Sequence, residues 1–304
     1  MKELCSVLVS SCDKYEDAWL PFFTFFKQSW RNCPYPVYLN TETKQYHDNS
    51  VPVHMLNYTA GSWSSRLKKA LQAIKTKYVI LLLEDFFLLD KVNEEAVSES
   101  IALMQKDKRI AVIDFSLDKK SAGKPYPSNG NFCERARSSL YFLNCQAAIW
   151  RRRDLIKFLS PYESPWQFEL FGSRRVHLYR KTFLLRNYRS DCVFHYSFNI
   201  NTGYGIYRGK WLRSNIKLFE DHHITTDFER LGFYNPETAA AAVTPPDPPK
   251  TTLGFRLRYL VFGGETIDTR MSIPSQLRCF VKSPKQYLRL LKTKLYKVKH
   301  DCMF

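Results

Sequence analysis

Short apolar runs alternate along the chain with stretches whose apolar residues recur every three or four positions, the pattern expected of buried strands separated by helices. Leu4-Cys5-Ser6-Val7-Leu8-Val9 predicts a first strand, followed by the polar turn Ser10-Ser11-Cys12-Asp13. Asp13-Lys14-Tyr15-Glu16 has the spacing of a capping box, with Asp13 accepting from early helix amides and Glu16 reaching back. Trp19, Phe22, Phe23, Phe26 and Trp30 then form a broad aromatic face at helical spacing, which predicts a helix packed on a sheet. A second strand is expected over 35–39, and a polar connection leads to a helix entered through Trp63-Ser64-Ser65, with Leu67, Ala70, Leu71 and Ile74 on its buried side. The run Tyr78-Val79-Ile80-Leu81-Leu82-Leu83 is too short to cross a bilayer and ends at Glu84-Asp85, so it reads as a buried strand.

Downstream, a helix is predicted over 93–106 and a strand over 110–114. The polar stretch continuing to about Arg137 reads as a long connection able to cover an acceptor pocket. A core strand is expected within 141–150 and a short helix within 154–159; a turn at 161–166 then leads into Gln167-Phe168-Glu169-Leu170. Residues 176–185 and 191–196 carry strand signals of unset register. This succession predicts an α/β fold. The Ala/Pro-rich break at 238–250 divides a domain spanning 1–237 from a C-terminal extension at 251–304.

An apolar fraction of 44% argues for a packed protein rather than disorder, and 304 residues suffice for a substantial core. The 46 Lys and Arg against 29 acids give a net charge of +17, which suits phosphate-bearing ligands, nucleic acid or an anionic membrane without choosing among them. The eight cysteines are scattered, without paired metal or redox spacing. With no secretory leader legible, a reducing cytoplasmic setting is expected, with peripheral attachment at the inner face of the membrane.

An acidic pair at a strand end places carboxylates in the crevice where open α/β sheets receive ligands. Such oxygens suit Mg2+ or Mn2+, and the ion would neutralise a diphosphate leaving group. With these features in order, the chain resembles bacterial polysaccharide-type glycosyltransferases of GT-A architecture. The resemblance spans about 1–235 and rests on Ser10-Ser11-Cys12-Asp13 after the first strand, Leu81-Leu82-Leu83-Glu84-Asp85-Phe86-Phe87, Gln146-Ala147-Ala148-Ile149-Trp150-Arg151 and Trp166-Gln167-Phe168-Glu169. It implies a GT-A-like mixed sheet sandwiched by helices and a nucleotide-diphosphate sugar donor. It also implies a hydroxyl-bearing glycan or lipid-linked acceptor, and direct displacement with inversion.

Under that resemblance Ser10, Ser11 and Asp13 approach the nucleotide, and Glu84 and Asp85 lie near the donor phosphates. The usual DxD spacing is absent, since the local sequence is Glu84-Asp85-Phe86. Asp85 reads as a catalytic and metal-binding residue, with Glu84 either beside it on the metal or satisfying a backbone or basic partner. Glu169 is the candidate general base that takes the acceptor's proton; the competing reading is a capping or salt-bridging glutamate. His195 would face the phosphates or complete the metal site, or serve as an ordinary structural histidine. Arg66 and Lys69 at a helix start, and Arg208 and Lys210 in Gly203-Tyr204-Gly205-Ile206-Tyr207-Arg208-Gly209-Lys210-Trp211, are candidate phosphate contacts or, equally, a solvated basic face and a structural turn.

The extension carries 11 Lys or Arg against three acids. Its segment from Ser283-Pro284 onward predicts an amphipathic helix, with Tyr287, Leu288, Leu291, Leu295 and Val298 between basic flanks. Such a helix suits an anionic membrane surface or packing on the main body. Two other functions share the same features: a nucleic-acid-binding module and a metal-assisted phosphate-ester hydrolase. The aromatic residues fall at core periodicities rather than interleaving with basic ones, which argues against nucleic acid as a partner.

Overall fold

The computed structural model describes residues 4–48, 51–116, 119–136, 139, 141–176, 179–187, 191–196 and 205–235. The linker expected at 238–250, the basic extension at 251–304 and the Gly203-Tyr204 start of the glycine loop lie outside the described residues. The first half of the chain forms β1 (Cys5–Ser10), α1 (Trp19–Ser29), β2 (Val37–Thr41), β3 (Val53–Asn57), α2 (Trp63–Ala73), β4 (Tyr78–Leu83), α3 (Glu94–Lys106) and β5 (Ile110–Asp114). There follow β6 (Ala122–Pro125), β7 (Phe132–Arg135), β8 (Ala148–Arg151), α4 (Arg152–Phe158) and α5 (Pro165–Gln167). A π-helical turn (Phe168–Gly172), α6 (Ser173–Arg175), β9 (Thr182–Arg186), β10 (Ile206–Tyr207), β11 (Lys210–Trp211) and α7 (Ser214–Asp221) complete the described part.

Nine strands make one mixed sheet in the order β3-β2-β1-β4-β8-β5-β9-β7-β6. β3, β2, β1 and β4 are parallel, β8 runs against both β4 and β5, and β9 is parallel to β5. The β6–β7 hairpin closes the far edge through antiparallel pairing of β7 with β9. Strands covered on both faces must be apolar throughout, which is why β1 and β4 read as unbroken runs. Alternate residues enter two cores: Val7, Val9, Ile80 and Leu82 pack with α1 and α3, whereas Leu8, Val79 and Leu81 pack with α2 and α4. The expected mixed sheet sandwiched by helices is therefore the fold. Trp19, Phe22, Phe23, Phe26 and Trp30 are all buried, so they build the core and offer nucleic acid no stacking surface.

Several local expectations change. The predicted Asp13–Glu16 capping box does not form, because no side chain caps that turn. The Asp13 carboxylate instead accepts the backbone N–H groups of Glu42, Thr43 and Lys44, and Glu16 pairs with Lys44. Part of the polar connection before α2 is β3, a half-buried edge strand that composition disguises. The stretch expected to be a long covering loop carries β6 and β7, so it extends the sheet. Of the expected 141–150 strand only the last three residues are extended, and the strand runs one residue further, over Ala148–Arg151. Residues 191–196 form no strand; Val193 and Phe194 plug the core while the Val193 and His195 carbonyls accept from Asn93 and Leu89 N–H. Among the described residues no helix is long and apolar enough to cross a membrane.

Candidate active site

The carboxyl edge of the parallel strands gathers the polar residues that the cores exclude. Ser10 pairs with Leu83 across β1 and β4, so Ser11 and Glu84 are the next residues beyond adjoining strand ends. Ser11 Oγ accepts from Trp19 Nε1 at 2.7 Å, and its side chain hydrogen-bonds the Glu84 carboxyl. Glu84 is buried, which pushes its carboxyl well above the ordinary range; the charges of Asp85 and Glu42 add to this. Asp85 lies deep among protein atoms yet keeps part of its surface open. Burial raises it to about 7, offset in part by its own N–H and that of Ile206 donating to the carboxylate. Two acids held this way cannot both carry charge cheaply without a cationic partner.

That Ile206 amide belongs to a hairpin clasped to the pair. Gly205 N–H donates to the Asp85 carbonyl at 2.6 Å, and a Cβ on Gly205 would stand 2.7 Å from the Phe87 ring, so only glycine fits. The β10–β11 turn places Arg208 at φ 50° and Gly209 at φ 77°, the two positive angles of a tight hairpin turn. Its tip rests on the β1–α1 loop, since a Cβ on Gly209 would lie 3.2 Å from Lys14 Nζ. Lys14, Arg208 and Lys210 are all exposed around this tip. Below them Cys12 is pushed up to about 12 by burial and by the Glu84 and Glu42 charges. The Tyr15 hydroxyl is raised by burial, with Cys12, Glu84 and Asp85 adding. Buried acids thus lie close to an exposed basic turn.

The remaining predicted residues are distributed unevenly. Arg66 reaches the β1–α1 loop indirectly: it pairs with Glu42 at 2.7 Å, and Glu42 accepts the Asp13 N–H. Lys69 is exposed and stands over the Tyr58 ring at 5.8 Å. Asp13 is occupied as a staple between the β1–α1 loop and the loop after β2; hydrogen bonds from Thr43, Lys44 and Glu42 draw its carboxyl below the ordinary value. Ser10 Oγ accepts from Trp63 Nε1 at 2.9 Å. His195 is exposed between the buried Phe194 and Tyr196. Among the described residues no three His, Cys, Asp or Glu side chains converge on a common metal position, so His195 does not complete a site with Glu84 and Asp85. Glu84 and Asp85 are the residues that would hold a divalent ion here, since hard carboxylate oxygens suit Mg2+.

Glu169 occupies the same edge from the other side. β8 starts at Ala148, opposite Leu81 of β4 and Asp114 of β5, so the residues just before it lie at the carboxyl ends of both. In that segment Cys145 N–H donates to Glu169 Oε1 at 2.8 Å. Burial raises the Glu169 carboxyl to about 7, with the Cys145 amide and the Arg135 charge opposing. Its carrier is a π-helical turn, a geometry that recurs at functional sites because the extra residue re-aims a side chain. Trp63 bridges the two halves, bonding Ser10 while its ring lies 5.6 Å from Phe168. Sequence reasoning missed Trp63, Lys14, Tyr15, Glu42 and the Ile206 amide. Lys14 and Tyr15 had been absorbed into the supposed cap and Trp63 into a helix start, whereas Ile206 lay inside the glycine-containing segment already singled out as a candidate phosphate contact.

Fold and site together define a mixed α/β protein with two acidic centres on one sheet edge. No protein-family model matches the chain, and no curated protein matches it in sequence. Among solved structures it is similar to S. aureus TarS, at 12% identity and a TM-score of 0.46 over 96% of this chain and 54% of that one. A TarS 1-349 structure in complex with UDP matches at 14% identity and a TM-score of 0.43, covering 64% of this chain and 60% of that one. A cytidylyltransferase from Leptospira borgpetersenii serovar Hardjo-bovis matches at 14% identity and a TM-score of 0.40, covering 73% and 95%. The chain thus spans little more than half the length of the TarS chains.

Proposed function

We propose that this protein transfers a sugar from a nucleotide-diphosphate sugar to a hydroxyl of a glycan or lipid-linked acceptor, with inversion. The observation that carries the reading is Glu169: a carboxyl raised to about 7, partly open, on the same sheet edge as the Glu84-Asp85 pair. A base so poised is half deprotonated near neutrality and still has the driving force to take a proton. The acceptor oxygen would attack the anomeric carbon as its proton passes to Glu169, while the bond from that carbon to the phosphate oxygen breaks and the nucleoside diphosphate leaves with the electron pair. Lys14, Arg208 and Lys210 around the β10–β11 turn would neutralise the departing diphosphate. Asp85, the more open acid, would hold a Mg2+ or Mn2+ ion with Glu84 behind it, and the ion would add to that neutralisation. The basic extension would serve contact with an anionic membrane surface where a lipid-linked acceptor resides.

Glu169→Gln tests the base directly. It should leave nucleoside-diphosphate binding intact and lower kcat by about 10²- to 10⁴-fold. Unchanged turnover would remove Glu169 from the mechanism.

A further inference from the structure

The segment that orients Glu169 is itself held by a buried polar cluster at the end of β5. The Asp114 carboxylate pairs with the Arg135 guanidinium and accepts from Asn144 Nδ2 at 2.8 Å and Ser116 N–H at 2.7 Å. Asn144 Oδ1 in turn accepts the Gln146 N–H at 3.2 Å. The residue enclosed by these two bonds is Cys145, whose amide donates to Glu169. From the opposite side Ser173 Oγ bonds both the Leu143 N–H and its carbonyl, at 2.7 and 3.2 Å. Gly172 lies against Leu143, where a Cβ would come within 3.0 Å of that side chain. The π-turn bearing Glu169 is therefore locked to 143–146, and 143–146 is locked to β5.

Arg135 gives this cluster an electrostatic role as well. It is buried, its Nε has no hydrogen-bond partner among the described residues, and its charge acts on both Asp114 and Glu169. Among the described residues, the titratable groups whose charge acts with Glu169 are Arg135, from β7, and the Cys145 thiol. We propose that Asp114 is a positioning residue for Glu169: it neutralises Arg135 and, through Asn144, fixes the Cys145 amide that orients the Glu169 carboxyl. The catalytic consequence rests on the reading of Glu169 as the base, whereas the physical coupling does not.

The two arms of the cluster predict opposite effects. In Asp114→Asn the Arg135 charge is released onto Glu169, favouring its ionised form. In Asn144→Ala the ion pair stays but the Cys145 amide is no longer held, and the ionised carboxylate loses its donor. The test is a carboxyl 13C NMR titration of the full-length, glutamate-labelled protein, with Glu169 assigned by difference against Glu169→Gln. The Glu169 midpoint should fall by about one pH unit in Asp114→Asn, return in the Asp114→Asn/Arg135→Gln double variant, and rise in Asn144→Ala. Where activity is measurable, the acid limb of the rate profile should move with it. A midpoint that does not fall in a folded Asp114→Asn, or that stays at the wild-type value in Asn144→Ala, would overturn the proposal. If Asp114→Asn does not fold, the Asn144→Ala rise decides alone. Shifted midpoints in a protein that transfers no sugar would retain the coupling and reject the base.

Discussion

At the scale of residues, ionisation decides what the two acidic centres can do. Transfer should rise with pH through about 7 as Glu169 loses its proton, and that limb should vanish from the residual activity of Glu169→Gln. The same carboxyl has a stability signature. Its folded value lies above the ordinary 4.5, so the folded chain binds this proton more tightly than the unfolded one. The resulting stabilisation is complete below about 4.5 and is lost as pH rises through about 7. Melting temperature should therefore fall more steeply across that window in the wild type than in Glu169→Gln; parallel curves would contradict the raised value. Asp85 has two tasks, which two variants separate. Asp85→Asn keeps an acceptor for the Ile206 amide and should fold normally yet use donor poorly, whereas Asp85→Ala should also loosen the hairpin. Wild-type kinetics in Asp85→Asn would take Asp85 out of the donor site.

At the scale of elements, the active edge is assembled by packing that can be broken one piece at a time. Gly205→Ala would push a methyl carbon into the Phe87 ring, 2.7 Å away, and against the Asp85 carbonyl. The expected cost is about 1–3 kcal/mol, seen in urea unfolding, together with a higher KM for donor as the basic turn lifts. On the other side Glu163 is buried and pairs with Arg175 at 2.6 Å, tying the turn before α5 to α6. Arg175→Met should take the guanidinium from that buried carboxylate and destabilise the protein by about 3–5 kcal/mol; an unchanged urea midpoint would show that the pair is dispensable. These elements also show where sequence was informative. β1, β4, β5 and α1 were legible because full burial on both sheet faces, or on one helix face, forces continuous or three-to-four-residue apolar spacing. β3 and β6 were not, since edge strands are partly solvated and their polar residues look like loop; β7 was not because it is four residues long and two of them, Glu134 and Arg135, are charged. Asp13 misled for a related reason: its four-residue local pattern suits a helix cap, but the strand end at Glu42 offers its carboxylate several backbone donors at once.

At the scale of the whole molecule, the sheet topology does what no local motif in the chain does. It brings the ends of β1, β4 and β5 and the start of β8 to one edge, so residues as far apart as Ser11, Asp85, Glu169 and Ile206 become parts of one region. The acidic pair was legible because it interrupts an apolar run. The Ile206 amide, Trp63 and Arg135 were not, because their roles exist only after strands far apart in sequence pair. The chain's +17 charge acts at this scale too. Donor KM should rise with ionic strength, and Arg208→Ala with Lys210→Ala should flatten that dependence; an equally steep salt response in the double variant would place the phosphates elsewhere. The most direct measurement is product analysis of the full-length protein incubated with a panel of nucleotide-diphosphate sugars and glycan or lipid-linked acceptors, with Mg2+ and Mn2+ varied. A glycosylated acceptor of inverted anomeric configuration, formed with an equal amount of nucleoside diphosphate, is the predicted result. Free sugar or free phosphate without a glycosylated acceptor, or pyrophosphate with a newly made nucleotide sugar, would contradict it.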